Sequence, residues 1–236
     1  MPRHALFIEQ PNIVDGRLTV EGEEARHALR VKRMGAGDEI EILDGQGGRL
    51  VGRILDAGRT LTIEISAQER VPQLTPRLEV WAATPKGPRL DRMVDALCQV
   101  GAAAWIPTRF QHSVVDPRAT KIERVERLVA EACKQSRRPW RMEIGRRADA
   151  SDALTAGGDN VQVVVADGSG DPYTPCGRAV IRLLIGPEGG LSSSELNQAT
   201  TAGARICRFG SHTMRTEVAA PVAAAIILAR ETPELP

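Results

Sequence analysis

The stretch LLIGPEGGLSSSEL, residues 183–196, decides how this chain is read. An apolar run suited to a buried strand stops at Gly186, Pro187, Glu188, Gly189 and Gly190. Ser192 and Glu195 then have the spacing of a capping box, the reciprocal hydrogen bonding that opens a helix. Strand, glycine turn and helix in that order build parallel α/β sheets, and ligands of open sheets bind in loops beyond the carboxyl ends of the strands. Glycines leave no bulk in such a loop, so a ligand can approach the backbone closely. Taken alone, the stretch is equally compatible with a plain strand-to-helix turn. It is not a phosphate loop, because no Gly-x4-Gly-Lys-Ser/Thr occurs and no Gly-x-Gly-x-x-Gly follows the first strand of this region.

The flanks extend the same pattern. VQVVVAD (161–167) and AVIRLLIG (179–186) are apolar nearly throughout, as strands buried on both faces are. LEVWAAT (78–84) predicts a strand, followed by a helix with Leu90, Val94 and Leu97 on one face, closed by Gly101, and then by AAWIPT (103–108). Ile122, Val125, Leu128, Val129 and Ala132 mark a longer amphipathic helix. Strands alternating with helices predict a parallel sheet covered on both faces. Two more loops merit attention, ADGSGDP (166–172) and FGSHTMRTE (209–217). The first begins like a calcium loop but lacks the remaining ligands, and is expected to be a plain turn. VAAPVAAAIILA (218–229) is apolar almost all round, so its outer face needs a cover, either a second copy of the chain or the domain's own core.

The first 70 residues follow another rule. DEIEILD (38–44) and TLTIEIS (60–66) alternate at the strand period, RLVGRIL (49–55) fits between them, and GQGG (45–48) supplies a hairpin turn. GEEARHALRV (22–31) predicts a short helix with acids at its start and arginines at its end. QERVPQLTPR (68–77) interrupts both periodicities at Pro72 and Pro76 and marks a boundary. The expected organisation is a β-rich module over 1–70 and an α/β domain over 71–236.

Composition removes several classes of function. Among 236 residues, 31 Lys and Arg balance 30 Asp and Glu to a net charge of +1, which argues against non-specific coating of nucleic acid. Aromatics make up 3%, too few for a base-stacking platform. Local basic clusters exist, at Arg26, Arg30, Lys32 and Arg33 and again at Arg137, Arg138, Arg141, Arg146 and Arg147, and either is compatible with a solvated face. No run has the apolar length of a membrane span, and Met1, Pro2, Arg3 and His4 do not start a secretory signal, so a cytoplasmic protein is expected. Cys98, Cys133, Cys176 and Cys207 are far apart and are expected as buried free thiols. Neither they nor His4, His27, His112 and His212 have ligand spacing, so no metal is expected.

Four stretches together carry a resemblance: residues 183–196 and 209–217 quoted above, EACKQSRRP (131–139), and HALRVKRMGAGDEIEILDG (27–45). In order and over essentially the whole chain they resemble the ribosomal RNA small subunit methyltransferase E family, within the SPOUT class. The resemblance implies an N-terminal PUA-like β-barrel that binds RNA over 1–70, and a C-terminal SPOUT methyltransferase domain with a trefoil knot over 71–236. It implies methyl transfer from S-adenosylmethionine to N3 of a uridine in the decoding region of 16S ribosomal RNA, on naked RNA or the small ribosomal subunit, by a homodimer. Carried over by motif, Ala166, Ile185, Gly186, Pro187, Glu188, Gly189, Phe209, Gly210, Met214, Arg215 and Thr216 would line the cofactor pocket. Arg3, Arg30 and Arg33 match basic positions that hold RNA.

Arg215 is the catalytic candidate. A neutral imide nitrogen is a poor nucleophile, and a cation beside O2 or O4 stabilises the imidate that develops as its proton leaves. Glu188 and Glu217 are expected in supporting roles, the first fixing its glycine loop and the second complementing the final helix. The chain departs from the family where Gln-Lys-x-x-Glu-Leu-Gly is usual and Asp95 to Gly101 stand here, at Val218, and at Pro221 inside the last helix. The alternatives are a related enzyme acting on another RNA or another atom, such as a ribose 2′-oxygen, and a non-catalytic ribosome-assembly factor.

Overall fold

The computed structural model describes residues 4–30, 34–116, 122–155, 158 and 160–232. The chain divides into two compact units, Met1–Gln73 with Ala130–Arg141, and Leu74–Val129 with Met142–Pro236.

The first unit contains β1 (His4–Phe7), β2 (Ile13–Val14), β3 (Arg17–Val20), α1 (Gly22–Arg30), β4 (Glu39–Leu43), β5 (Gly48–Ala57) and β6 (Leu61–Arg70). They form a six-stranded sheet in the order β1-β4-β5-β6-β3-β2. Alternation along the strands sends Leu18, Val20, Ile40, Ile42, Leu50, Ile54, Leu61 and Ile63 into one core, where Ala25 and Ala28 of α1 join them. The three strands expected between 38 and 66 form. β6 also runs on to Arg70, through residues assigned to the boundary, because β5 keeps pairing with it to the Gly48 and Arg70 positions. No ladder joins β1 to β2 among the described residues, so the barrel implied by the resemblance is an open sheet here, its edge carried by a strand only two residues long.

Residues 130–141 pack on this sheet through specific contacts. Lys134, 7% exposed, pairs with Glu24 at 3.0 Å and with Glu131. Burial alone works against its charge, but the two carboxylates hold its pKa above the usual lysine value. The Trp140 ring lies so close to Gly47 that a Cβ there would sit 2.5 Å from it, and the Trp140 Nε1–H donates to the Val71 carbonyl at 2.8 Å.

The second unit contains β7 (Arg77–Ala82), α2 (Pro88–Val100), β8 (Ala104–Arg109) and α3 (Ile122–Ser136), whose last turns belong to the first unit. β9 (Glu143–Ile144), β10 (Ala148–Asp149), a 3-10 turn (Ala150–Leu154), β11 (Val161–Pro172) and β12 (Val180–Ile185) follow, then α4 (Ser193–Thr201), β13 (Arg205–Arg208) and α5 (Thr216–Glu231). Every ladder is parallel, in the order β10-β8-β7-β12-β11-β13 with β9 also on β8. One face buries Val165, Leu184, Ala150, Ala153, Ala199 and Phe110 beneath α4 and the 3-10 turn. Strand alternation turns Leu78, Val80, Ile181 and Leu183 the other way, and α5 packs on β7, β12 and α2. Gly101 closes α2 as expected, at φ 98° in the left-handed region, where a Cβ would meet Leu74 at 2.8 Å.

One expectation changes, and one open alternative narrows. The segment 167–170 is not a turn that ends a strand: β11 runs through to Pro172, and its register against β13 shifts between Ala166 and Asp171. The Asp167 carboxylate accepts from the Ser169 amide at 2.9 Å and its hydroxyl at 2.7 Å, which folds the extra residues into a bulge. The final helix is not enclosed by its own unit. It buries Ala220, Ala223, Ala224, Ile227 and Leu228, while Val218 is 45% exposed and Val222, Ala225 and Ile226 are half-buried. Among the described residues no helix is long and apolar enough to cross a membrane.

Candidate functional site

Three adjacent strands, β12, β11 and β13, end on the same edge of the parallel sheet, and the segments that leave them meet there. They enclose a cavity of about 780 Å3. Ala166, Ile185, Gly186, Pro187, Glu188, Phe209, Gly210, Met214 and Thr216 line it, so nine positions named from sequence converge. Gly189 and Arg215 do not line it. The absent Cβ of Gly189 would face His112 at 3.1 Å, and its carbonyl, with that of Gly190, accepts from the His112 Nδ1–H at 3.2 Å. Arg215 is the exposed N-cap residue of α5, and its carbonyl accepts from the amides of Val218 and Ala219 at 2.9 and 2.8 Å.

The glycine turn is held at both ends. The capping box expected from Ser192 and Glu195 is present: the Ser192 hydroxyl accepts from the Glu195 amide at 3.2 Å, and the Glu195 carboxylate from the Ser192 amide at 2.8 Å. Glu195 also accepts from the Gln111 amide at 2.8 Å. At the start of the turn, the hydroxyl of Thr216, 3% exposed, donates to the Gly186 carbonyl at 2.9 Å and fastens α5 to the loop. Gly186 itself admits no side chain without movement, since a Cβ would lie 2.7 Å from Leu191. Opposite, the Phe209 ring stacks on Tyr173 with centroids 5.8 Å apart. Tyr173 is 1% exposed and donates to Glu231 near the end of α5. Burial, and then that hydrogen bond, push its hydroxyl pKa far up, so it stays a donor.

The charged groups divide clearly. Glu188 pairs with Arg89 at 3.1 Å. Glu217 lies in the first turn of α5, and its Oε2 is buried without a hydrogen bond among the described residues. The Arg215 guanidinium pairs with neither, and no ion pair of the described residues includes it. Sequence reasoning did not name Asp167, Leu191, Arg208, His212, Ala219 or Ala223, which also line the cavity. All of them stand within or beside the motif stretches, so proximity was the available signal.

Of the expected RNA contacts, Arg3 and Arg33 lie outside the described residues, as does the side chain of Arg30 at the end of α1. The second basic cluster is largely occupied within the protein: Arg137 pairs with Glu41 at 3.3 Å, Arg141 with Glu9, and Arg147 with Asp149 at 3.7 Å. The four cysteines are free thiols; Cys98, Cys133 and Cys207 are buried and Cys176 is half-buried. Burial raises the Cys207 thiol pKa.

A parallel sheet with such a cavity at its carboxyl edge has counterparts. Residues 72–228 match the RNA methyltransferase domain family, and residues 20–66 match the PUA domain of RNA methyltransferases, which together define the class. The ribosomal RNA small subunit methyltransferase E of Bacillus subtilis is 30% identical over 93% of each chain, and that of Synechocystis is 26% identical over 95% of this chain and 77% of its own. The chain belongs to the ribosomal RNA small subunit methyltransferase E family. In fold it is also similar to the enzyme of that name from Neisseria gonorrhoeae, crystallised bound to S-adenosylmethionine, with a TM-score of 0.80, 24% identity, and coverage of 94% of this chain and 96% of that one.

Proposed function

We propose that this chain transfers a methyl group from S-adenosylmethionine to N3 of a uridine in 16S ribosomal RNA, in the decoding region of the small subunit, acting in the cytoplasm. In this reading residues 1–70 bind RNA, with Arg3, Arg30 and Arg33 on its phosphates, and residues 71–236 carry the reaction. The observation that supports it best is the convergence of the motif residues on one cavity at the carboxyl edge of the sheet. Its volume falls in the range of roughly 300–1,000 Å3 usual for small-molecule sites. Its walls fit the cofactor: Ile185, Leu191, Phe209 and Met214 offer apolar surface to an adenine, the backbone of Gly186 and Gly210 permits close approach, and the Asp167 carboxylate suits a sulfonium cation. Gly189 acts from behind, by holding His112.

Bound there, S-adenosylmethionine supplies a methyl group already activated by its sulfonium. The protein's part is to align the uridine nitrogen and stabilise the charge it gains. Arg215 suits the second task, because it is exposed, stands in sequence between Met214 and Thr216 of the cavity wall, and is not spent on Glu188 or Glu217. A hydrogen bond from it to a neutral carbonyl is modest, but the same bond to an imidate oxygen is charge-assisted and strengthens as the proton leaves.

Two architectural features belong to the same reading. The segment 209–215 leaves β13 at one edge of the sheet, yet α5 packs on β7 and β12, so the chain crosses the carboxyl edge as a trefoil knot requires. The half-covered face of α5 at Val218, Val222 and Ile226 suits a second copy of the chain, hence a homodimer. The direct test is nucleoside mass spectrometry of 16S RNA from small subunits incubated with the protein and S-adenosylmethionine. N3-methyluridine is the expected product. A ribose-methylated nucleoside would redirect the activity to another atom, and no new methylation would leave a binding protein.

A further inference from the structure

A second cavity, of about 220 Å3, adjoins the first and shares Pro187 and Glu188 with it. Thr84, beyond the end of β7, Lys86 and Arg89, on either side of the start of α2, and Ser113, beyond β8, supply polar groups to its walls, and Ala83, Val114 and Val115 supply apolar ones. Thr84 is 8% exposed, and its hydroxyl has no hydrogen-bond partner among the described residues. A buried hydroxyl in that state costs stability unless something else satisfies it. The Ser113 oxygen accepts from the Phe110 amide at 2.9 Å, which leaves its O–H free to donate. α2 begins at Pro88 after Gly87, whose position makes no side-chain cap, and the exposed Lys86 stands just before it. The positive end of a 13-residue helix and an ammonium thus face the same rim. The one carboxylate there, Glu188, is neutralised by Arg89 at 3.1 Å.

We propose that this second cavity seats the target nucleotide, a pyrimidine nucleotide turned out of its RNA strand. The inference rests on the methyl-transfer reading above. Transfer needs the acceptor nitrogen in line with the methyl carbon, at roughly 3–3.5 Å, so the acceptor's seat must adjoin the donor's, as this one does. A base cannot be reached within a stack, and enzymes that modify bases extrude them into a pocket. The volume lies below the roughly 300 Å3 at which pockets for drug-sized ligands begin, which suits one base and no more. Uracil presents carbonyl oxygens on both sides of N3, and the hydroxyls of Thr84 and Ser113 are two donors for them. Lys86 and the start of α2 take the nucleotide's phosphate.

The probe is uridine 5′-monophosphate, titrated into the full chain and followed by amide chemical shifts. Shifts are expected to centre on Thr84, Lys86 and Ser113, with Thr84→Val and Lys86→Ala each weakening binding about five- to tenfold. S-adenosylmethionine affinity should be unchanged in both variants. Thr84→Val should leave the unfolding midpoint equal or higher, since it deletes an unpaired buried hydroxyl; a merely structural hydroxyl would lower it. Shifts centred elsewhere, no binding, or variants that bind like wild type would overturn the proposal. The two ideas fail separately. N3-methyluridine formed by a protein whose nucleotide shifts lie elsewhere removes this cavity and keeps the activity; binding here without methylated RNA removes the activity and keeps the nucleotide seat.

Discussion

Arg215 is an exposed cation at the start of α5, next to Thr216 of the cavity wall and outside the wall itself. A residue so placed is expected to affect the rate more than cofactor binding. By comparison with other single electrostatic donors, Arg215→Ala should slow single-turnover methyl transfer on the order of 100-fold while S-adenosylmethionine affinity changes only a few-fold. Arg215→Lys should recover little, because one ammonium does not reproduce the planar fork. Near wild-type turnover in the alanine variant, with the fold intact, would return Arg215 to a purely structural role. Nine of the eleven positions carried over by motif line the cavity, and the motifs do not say which way each residue points. Gly189 sits in the most distinctive stretch of the chain, yet its missing side chain faces His112 and not the cavity. Orientation of that kind depends on the segment beyond β8, about eighty positions earlier in sequence, and no local pattern carries it.

α5 is anchored at both ends, by Thr216 on Gly186 and by Glu231 on the amides of Cys176 and Gly177 at 2.7 and 3.0 Å and on the Tyr173 hydroxyl. Burial alone would raise the Glu231 pKa, but these donors outweigh it and hold the carboxyl below its usual value. Its contribution to stability is therefore complete above the unfolded carboxyl pKa of about 4.3 and is lost as pH falls through the depressed folded value. Glu231→Gln should cost about 1–2 kcal/mol in urea unfolding at pH 7, and the difference from wild type should shrink below about pH 4. A gap independent of pH would mean that the charge plays no part. The helix period was legible at this scale because Leu90, Val94 and Leu97 bury one face in the manner the period demands, and β11 and β12 were legible as continuous apolar runs. Short strands such as β9, β10 and β13 were not, since two to four residues hold no period, and parallel neighbours place them. The bulge at 167–170 escaped for a related reason: Asp167 binds Ser169 locally, while the strand around it continues on long-range pairing.

The outer face of α5 sets the prediction for the whole molecule. Val218 and Ile226 leave apolar surface that a second copy would cover, so analytical ultracentrifugation should find a dimer, and Ile226→Asp should shift it toward monomer. A wild-type chain that sediments as a monomer at every concentration would leave that face to another partner. The change of period near Pro72 stands close to the Gln73–Leu74 division of the units, but the grouping of residues 130–141 with the first unit has no local signal, because it depends on Lys134 meeting Glu24 and Trp140 meeting Gly47. The cavity has a similarly dispersed origin: its walls come from β11, the turn after β12, the segment after β13 and the first turns of α5. No fragment of the chain holds that arrangement, and the unfolded chain cannot imitate it. Whatever fills the cavity therefore binds the native state alone and shifts the folding equilibrium toward it by mass action, by about 2.7 kcal/mol when the free ligand stands at a hundred times its dissociation constant. A methyl donor held in this cavity would thus act as a brace on the native fold, raising its resistance to unfolding.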